Sequence, residues 1–585
     1  MAAILYPTLF REQKLHLLKF YTSRIRRVYP ALFVLCLTLI LLGSYILSRV
    51  DYYALAKEIR YAGTFLYNIK FHKMDYFDDS INDNWLIHTW TLALEFQFYL
   101  LFPFILWMGN KIFKEKIIYF LLVISAASFL SMLYFQKDAP QSVFFLLQYR
   151  IWEFLLGSIL FIYQYQKGTN NKYGVLCNNI GFIALILFFF FASEQSGWPD
   201  YKTLIPVLST ILILYANQNT FFTKHYLFQR LGDASYSIYL WHWPFYIACV
   251  TFSLNDLFYL VLSAIASVVV AFFSYYFIER SIKSWSKPLV MQLGTFLLTI
   301  GLVSGLVGVI EKKKLLLPFS AHLHSDYEFI LPQIGFGTPK IDNCLDTGEL
   351  CVIGDESIKP SFILIGDSHA ASLAVALEEM AKKENKSFLL SVHSGCPLIF
   401  NQTQDETSKE CLKKNSSTLE ILAQYKDIPA VILNRYSSYL LGSNETNDMI
   451  RRVNMSELET KKVAEGLRNG ACKVAKQTQT YWVSAIPEIG INVPETMMRN
   501  IFYRKDFSEI TIPLSEYQKR NQVIISIQKQ AEKECGIEII DISSMLCDKN
   551  VCHTSYNQEI YYGDDDHLNI WGARKISPLF EFLFD

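Results

Sequence analysis

The sequence carries little charge for its length, and the two signs cancel. Only 18% of the 585 residues are charged, with 54 Lys and Arg against 54 Asp and Glu. Soluble domains usually contain about 25% charged residues, so the deficit points to a chain that lies partly in lipid. A chain without a basic excess gives no support for nucleic-acid binding, and we expect no nucleic-acid partner.

Regular repeats and low-complexity tracts are also absent, which excludes collagen-like, coiled-coil, solenoid and disordered classes. The chain instead changes composition once. Long apolar runs dominate from Ala31 to Ile310, and polar and charged residues return at ordinary density from Glu311 onward. The composition therefore predicts two parts with a boundary near residue 311.

The first part contains nine apolar runs that can cross a bilayer core of about 30 Å. Two of the nine are short, so the count carries an error of about one span. We expect a multi-pass α-helical membrane domain of about nine spans. The runs are Ala31–Ser48, Leu92–Met108, Ile117–Phe135, Val143–Tyr163, Ile180–Ser193, Leu204–Ala216, Ser237–Leu254, Leu257–Phe277 and Leu289–Ile310.

Basic residues accumulate in the loops on one side of these runs. Short loops rich in Lys and Arg stay in the cytoplasm, which places the segment with Arg24 and Arg27 inside. Nine spans then place the second part outside. Lys312, Lys313 and Lys314 disagree, but long translocated domains follow this rule poorly. We expect a plasma (inner) membrane protein with its C-terminal domain on the periplasmic or extracellular side.

Cysteine usage changes at the same boundary. Cys36, Cys177 and Cys249 lie in or beside predicted spans and are interpreted as small apolar side chains. The other eight lie in the polar part, and an even number suits an oxidising compartment. The absence of a CxxC pair disfavours zinc, the alternative. Short spacing favours disulfides Cys344–Cys351 and Cys547–Cys552, and the hypothesis for the rest is Cys396–Cys411 and Cys472–Cys535.

Beyond residue 360, apolar β-rich runs alternate with helical stretches. This alternation predicts a three-layer α/β domain with a parallel sheet, in which ligands bind at the carboxyl ends of the strands. Helices are expected over about 371–383, 457–476 and 514–534 and from about 572. The predicted strands are Phe362–Ile365, Phe388–Val392, Ala430–Leu433, Tyr481–Ile486 and Ile537–Ile542.

One of these strands ends in a turn that carries a serine. Gly366 permits a tight turn, and Ser368 then precedes a helix, whose N–H groups and dipole favour a developing anion. Asp564 and His567 lie three apart near the end of the chain. A carboxylate can orient an imidazole that takes the serine proton, as an activated serine requires. The alternative is that Ser368 only caps the helix.

Neighbouring polar residues are given structural roles. We expect Asp565 and Asp566 to be solvated residues of the turn that carries Asp564. His369 and His393 are interpreted as structural or supporting residues.

Ionisable residues within predicted spans are costly, which makes each a functional candidate. Arg150 and Glu153 lie three apart on one helix face and can neutralise each other. The alternative is that the pair only locks helices together. Glu95 and His242 also lie within spans.

The Gly-Asp-Ser-His string that contains Ser368, with an Asp-x-x-His string near the end of the domain, resembles the SGNH hydrolase/transferase superfamily. The resemblance implies that Ser368 is the nucleophile, that His567 is the base and that Asp564 is its partner. It also implies oxyanion donors at the Ser368 N–H, at Gly395 and at Asn434.

Four strings of the membrane part carry a second resemblance. They run, in order, from Phe20 to Pro30 with Arg24 and Arg27, from His88 to Pro103 with Glu95, from Arg150 to Gly157 with Glu153, and from Gly232 to Pro244 with His242. By these strings the membrane part resembles the acyltransferase-3 family of membrane O-acyltransferases. Phe96 departs from the family, which commonly has a second glutamate there. Together with the SGNH part, the resemblance covers nearly the whole chain, and this fused form is similar to enzymes that O-acetylate lipopolysaccharide O-antigen or peptidoglycan.

The resemblance implies a membrane-bound acyltransferase. Acetyl-CoA or another acyl-CoA would be the donor, with Arg24 and Arg27 on its phosphates. Ser368 would pass the acyl group to a hydroxyl of a cell-surface glycan, with no tightly bound cofactor or metal. Two alternatives are a membrane-anchored SGNH esterase and a non-enzymatic transporter, which leaves the serine motif unexplained.

The family begins with two further membrane helices, and we expect both to be missing from this chain. The expected domains are an N-terminally incomplete acyltransferase-3-like domain at 1–310, a linker at 311–343 and an SGNH domain at 344–585. Two explanations stay open. The chain is an inactive, truncated acyltransferase, or it needs a complementing membrane protein as a partner.

Overall fold

The structure, a computed structural model, divides the chain into two compact units, Met1–Ser320 and Ala321–Asp585. The structure describes residues 1–12, 14–72, 84–136, 139–168, 173–191, 198–218, 220–252, 254, 256–283, 289–313, 328–400, 406–441, 457–504 and 509–585.

The first unit consists of helices, because an apolar segment in lipid must satisfy its backbone polar groups within itself. Two shorter apolar helices, Tyr201–Ala216 and Leu298–Ile310, accompany the long ones. The chain is therefore a multi-pass membrane protein. Among the described residues, the helices long and apolar enough to cross a membrane are six, namely Leu17–Ile46, Ile87–Phe113, Ile117–Phe135, Pro140–Lys167, Gly174–Phe191 and Leu257–Ile282.

The predicted count of nine spans is not confirmed. All nine predicted runs fall largely in helices, but the helices Leu204–Ala216 and Ser235–Thr251 are shorter than the other spans. Ser193, at the end of one predicted run, lies outside the described residues. The helix Arg49–Gly63 was not predicted from the sequence, and it buries the acidic residues Asp51 and Glu58.

Large apolar side chains are unusually exposed on the first unit. Phe189, Phe190 and Phe191 are 80% to 81% exposed, which is the expected surface of a helix that faces lipid. The helices of this unit are Ala2–Glu12, Leu17–Ile46, Arg49–Gly63, Tyr67–Phe71, Trp90–Phe113, Ile117–Phe135, Pro140–Phe145, Leu147–Lys167, Gly174–Phe191, Leu204–Ala216, Phe221–Lys224, Tyr226–Asp233, Ser235–Thr251, Leu257–Ser274, Arg280–Lys283 and Leu289–Lys313.

The second unit is built on a six-stranded sheet with the order β1-β3-β2-β4-β5-β7. The strands β2, β3, β4, β5 and β7 are parallel, as predicted, and the edge strand β1 pairs antiparallel with β3. Every residue of β2, β3, β4 and β5 is buried, as expected for a parallel sheet covered on both faces. The bounds are β1 Cys351–Gly354, β2 Ile363–Gly366, β3 Ser387–Val392, β4 Ala430–Leu433, β5 Thr480–Val483, β6 Thr511–Pro513, β7 Glu538–Ile540, β8 Val551–His553, β9 Ser555–Tyr556 and β10 Glu559–Ile560.

Helices alternate with these strands. The helix predicted over 514–534 is divided in two at Asn521, whose buried side-chain amide donates to the Tyr517 carbonyl oxygen. The helices of the unit are Pro339–Thr347, Ser368–Lys383, Glu406–Leu422, Tyr436–Leu441, Glu457–Ala475, Val493–Arg499, Leu514–Arg520, Gln522–Cys535, Ser543–Leu546 and Ile570–Ile576.

Four disulfides cross-link the second unit, and they join the pairs expected from the sequence. Cys36, Cys177 and Cys249 of the first unit are free thiols. The bonded pairs are Cys344–Cys351, Cys396–Cys411, Cys472–Cys535 and Cys547–Cys552.

Candidate active site

The serine motif lies at the carboxyl end of β2, in the middle of the sheet. Asp367 caps the following helix by accepting from the His369 N–H at 2.9 Å, and Ser368 is the first helical residue. Ser368 is therefore not the helix cap. Glycine is required at position 366 for a different reason from the one expected, because a Cβ there would overlap the carbonyl oxygen of Leu433 on β4. Close approach of two strands, rather than a tight turn, requires the glycine.

The structure brings Ser368, His567 and Asp564 together. The His567 Nε2 lies 2.7 Å from the Ser368 Oγ, and its Nδ1 lies 2.8 Å from the Asp564 Oδ2. The other oxygen of Asp564 accepts from the backbone N–H groups of Asp566 and His567, which fixes the turn. The imidazole can thus take the serine proton with one nitrogen while a carboxylate orients the other.

A second carboxylate also contacts the catalytic imidazole. The Asp566 Oδ1 lies 2.8 Å from the His567 Nδ1, and Asp566 is only 1% exposed. The His369 Nε2 and the Arg435 Nε contact the other oxygen at 3.1 Å and 2.5 Å. The prediction that Asp565 and Asp566 are solvated was wrong, since both are buried. A buried carboxylate needs such partners, and Arg435 supplies the charge.

The two carboxylates control the charge of the base. Burial by itself lowers the pKa of His567, but hydrogen bonds and charge from Asp564 and Asp566 outweigh it and raise that pKa well above its ordinary value. Burial raises the pKa of Asp566, and the hydrogen bonds from His369 and His567 more than offset this and hold it low. The site therefore favours the imidazolium that forms when the serine loses its proton.

The predicted oxyanion residues follow the two strands beside β2. Asn434 directly follows β4, and Gly395, with a φ of +64°, lies in the turn after β3. The Asn434 side chain is 1% exposed, and neither its Oδ1 nor its Nδ2 has a hydrogen-bond partner within the described chain. The first N–H groups of a helix also lack an intrahelical partner, which leaves the Ser368 N–H available. These groups can donate to an oxyanion on a bound acyl group.

His393, the other histidine near the motif, lies in the turn after β3. Its Nδ1 contacts the Ser394 carbonyl oxygen at 3.1 Å. Asp564 and Asp566 thus contact the His567 Nδ1, and the His369 Nε2 contacts Asp566.

In the first unit, Arg24, Arg27 and Glu95 line one cavity of about 320 Å³. The Tyr99 hydroxyl donates to the Glu95 carboxylate, and the Arg24 guanidinium lies 5.8 Å from the centre of the Tyr99 ring. Ser158 also lines the cavity. The cavity therefore offers two cations and one anion to a polar or anionic ligand.

The other intramembrane candidates lie in two further places. The Arg150 Nε lies 2.7 Å from the Glu153 Oε1, so the two charges form an ion pair. The His242 ring faces that of His88 with centroids 5.7 Å apart. Both ring nitrogens of His88 are buried without a hydrogen-bond partner in the described residues, and the Tyr239 hydroxyl donates to the His88 carbonyl oxygen.

Several of these residues were missed by the sequence analysis. Asp566 adjoins the predicted triad, and its run of three aspartates gave a signal that was interpreted as a solvated turn. Arg435 follows Asn434 in the expected oxyanion string, so its position was visible but its role was not. His88 begins one of the matched membrane strings, where a histidine just before a span was a further usable signal.

Comparison with known proteins identifies both units. A family described as an acyltransferase domain matches residues 5–308, and one described as an SGNH domain fused to AT3 domains matches residues 338–582. An uncharacterized protein of Haemophilus influenzae is 31% identical over 223 residues, which cover 36% of this chain and 90% of that protein.

Two relatives have assigned activities. A proposed peptidoglycan O-acetyltransferase of Bacillus subtilis, YrhL, is 28% identical over 309 residues, which cover 48% of each protein. The O-acetyltransferase OatA of Staphylococcus aureus is 28% identical over 307 residues, which cover 48% of this chain and 50% of OatA. The matches thus span about half the length of these two relatives.

One solved structure is also similar, the periplasmic domain of the lipopolysaccharide acetyltransferase of Salmonella ser. Paratyphi A. It shares 15% identity with a TM-score of 0.31, over 44% of this chain and 95% of that domain.

Proposed function

The chain belongs to the acyltransferase domain family, and its second unit matches the SGNH domain that is fused to such domains. From this premise we propose that it is a membrane-bound O-acyltransferase. It transfers an acyl group, acetyl in the named relatives, to hydroxyls of a cell-surface glycan such as lipopolysaccharide O-antigen or peptidoglycan. The second unit then works on the periplasmic or extracellular side, where its four disulfides are stable.

The observation that carries the proposal is the chain of hydrogen bonds from Ser368 through His567 to Asp564. The Ser368 Oγ attacks the acyl carbonyl carbon while its proton passes to the His567 Nε2. Collapse of the tetrahedral intermediate returns that proton to the leaving group and leaves an acyl-serine. Asn434 and the Ser368 N–H would donate to the oxyanion.

The second half of the reaction repeats these steps in reverse. His567 takes the proton of a glycan hydroxyl, and the hydroxyl oxygen attacks the acyl-serine carbonyl. Breakdown of the intermediate forms the glycan ester and returns the proton to the Ser368 Oγ. Water can make the same attack, so transfer requires that the glycan hydroxyl occupies the site first.

The donor side of the proposal rests on the cavity of the first unit. Arg24 and Arg27 can bind phosphate groups of acetyl-CoA or another acyl-CoA, because guanidinium groups bind phosphate oxygens strongly. A cavity of about 320 Å³ holds only part of such a donor. The membrane unit then moves the acyl group outward to the second unit.

Complementation tests the function. In a strain deleted for its own gene, this chain expressed from Met1 should restore ester-linked acetate on the surface glycan, and Ser368→Ala should not. Ser372→Ala is a matched control, because this buried serine on the same helix donates only to the His369 carbonyl oxygen. Glycan acylation that survives Ser368→Ala would contradict the assignment of the nucleophile.

The same experiment separates the alternatives. If wild-type protein is inserted in the membrane and cleaves a model ester, but never adds acetate to the glycan, the chain is a membrane-anchored SGNH esterase. If it does neither, the chain is an inactive acyltransferase or requires a complementing membrane protein.

A further inference from the structure

A short segment before the sheet of the second unit reaches the catalytic imidazole. Residues 328–337, named the strap here, precede the helix Pro339–Thr347. The Phe336 ring lies flat on the His567 ring, with centroids 3.9 Å apart and an angle of 9° between the planes. Neither the serine motif nor the Asp-x-x-His motif contains this residue, and the mechanism above does not use it.

The strap is fixed to the residues around the catalytic turn by its own polar groups. The Gln333 Oε1 accepts from the Ile560 N–H at 2.7 Å, and the Gln333 carbonyl oxygen accepts from the Asn569 Nδ2 at 2.9 Å. Gln333 is 8% exposed and Ile330 is fully buried. The strap is therefore a packed part of the second unit.

Two glycines bring the strap to within one residue of the triad. The Gly335 N–H donates to the Gly563 carbonyl oxygen at 3.1 Å, and the Gly563 N–H donates to the His567 carbonyl oxygen at 2.9 Å. A Cβ on Gly563 would overlap the backbone of Gly335. The close approach of these two backbones thus requires glycine at 563, next to Asp564.

The remaining sides of the imidazole are also occupied. Asp564 and Asp566 hold its Nδ1, Ser368 contacts its Nε2, and the His369 ring meets it at an angle of 70° with centroids 4.9 Å apart. Phe336 covers the face that these groups leave open. An aromatic face there excludes water and attracts the imidazolium that forms during the reaction.

We propose that Phe336 is a positioning residue, which stacks on His567 and keeps its Nε2 directed at Ser368, and that the strap is a required part of the active site. The inference rests on the proposed function, because it assumes that Ser368 is the nucleophile activated by His567. It adds a residue from outside both motifs to the catalytic apparatus.

The test measures how fast a fluorophosphonate probe labels Ser368 in the full chain in membranes, since this reaction needs the serine and its base but no donor or glycan. Phe336→Ala and Phe336→Leu should both label about tenfold more slowly or worse, because a small displacement of a catalytic group is costly. Phe336→Tyr, which retains the ring, should label within about twofold of the wild type.

Two further variants separate positioning from folding. Gly563→Ala substitutes neither Phe336 nor a triad residue, but its Cβ would displace the strap at Gly335 and should therefore also slow labelling. Phe582→Ala is the matched control, because this half-exposed ring packs on Tyr481 instead of on the triad, and it should label at the wild-type rate. Rates are compared for protein that resists protease, so a variant that unfolds does not count as slow.

The outcomes distinguish the two proposals. If Ser368 of the wild type is labelled, and Phe336→Ala or Phe336→Leu is labelled at the same rate, the role of Phe336 alone is overturned. Absence of Ser368 labelling in the wild type would overturn the proposed function, and the role of Phe336 with it.

Discussion

The two units hold their polar groups in opposite ways. In the second unit, the atoms of Ser368, His567 and Asp564 are already in contact at 2.7 and 2.8 Å. In the first unit, Arg24, Arg27 and Glu95 line a cavity of about 320 Å³. The serine site is thus already assembled in the structure, whereas the cavity of the first unit, named the membrane site here, presents charged groups that a ligand could contact.

The difference follows from the two solvents. A buried charge in the second unit can be balanced by distant parts of a folded sheet, as Arg435 balances Asp566 and Glu488. A charge within the membrane needs a nearby partner or a cavity, and Arg150 finds its partner one turn away, in Glu153. The comparison predicts that the serine site can be damaged or preserved independently of the membrane site.

The largest expected effect comes from removal of the base in the serine site. His567→Ala removes the base and should lower the rate of Ser368 labelling by about a thousandfold or more, because a serine without its base is a weak nucleophile. His393→Ala is the matched control, since the His393 Nδ1 contacts the Ser394 carbonyl oxygen in the turn after β3. An equal loss in both variants would show that the fold, not the base, has been damaged.

A second variant removes two charges from the membrane site and leaves the serine site unchanged. The double substitution Arg24→Ala and Arg27→Ala should lower glycan acetylation by about a hundredfold, because two charge-assisted contacts to the donor are lost. The rate of Ser368 labelling should stay at the wild-type value.

The control for this variant is Arg26→Ala, on the same helix but outside the lining of the cavity. Glycan acetylation that falls equally in the control would contradict a specific donor site. A parallel fall in Ser368 labelling would contradict the independence of the two units.

A smaller effect is expected from the loss of one carboxylate in the serine site. Asp566→Asn removes a charge that favours the protonated form of His567, so the pKa of His567 falls. Because the neutral imidazole is the base, the rise of the Ser368 labelling rate with pH should move to lower pH. The maximal rate should fall about tenfold, since Asp564 remains to orient the ring.

Asp565→Asn is the control for this pH profile, because Asp565 is buried beside Asp566 and its Oδ2 lies 4.0 Å from the Arg435 guanidinium. A profile that moves to higher pH in Asp566→Asn, or that moves equally in Asp565→Asn, would contradict the role given to Asp566.

Much of the sheet around the serine site could be predicted from the sequence. The strands β2, β3 and β4 were visible as apolar runs, and their parallel order brings the loops with Ser368, Gly395 and Asn434 to one edge of the sheet. The edge strand β1 was not predicted, because its sequence includes the disulfide-bonded Cys351 and only one fully buried residue.

What the sequence could not predict depends on long-range contacts. Asp566 is buried only because Arg435 and His369, far away in the chain, meet it in the fold. Phe336 was assigned to a linker for the same reason, since its partner His567 lies near the other end of the domain. In the first unit, the length of an apolar run did not determine the length of its helix, which left the count of spans unconfirmed.

The smallest expected effect concerns stability, and only the second unit has the cross-links to test it. Removal of Cys472–Cys535, which closes a loop of 63 residues, should destabilise that unit by about 4 kcal/mol, because the unfolded chain gains the most freedom. Removal of Cys547–Cys552, five residues apart, should cost only about 2 kcal/mol.

The measurement is the urea concentration at which the second unit of the full chain becomes sensitive to protease. Paired Cys→Ser substitutions keep each variant free of a lone thiol. Equal midpoints for the two variants would contradict the dependence on loop length.

The central claim is that the two units act in series, with Ser368 carrying the acyl group between donor and glycan. The direct measurement supplies labelled acetyl-CoA to the cytoplasmic face of membranes that contain the full chain and quantifies label on the peptide with Ser368. We predict label in the wild type, none in Ser368→Ala, and about a hundredfold less in the Arg24→Ala, Arg27→Ala double variant. Label that reaches the glycan in Ser368→Ala would contradict the account. Label at the wild-type level on Ser368 in the double variant would also contradict it.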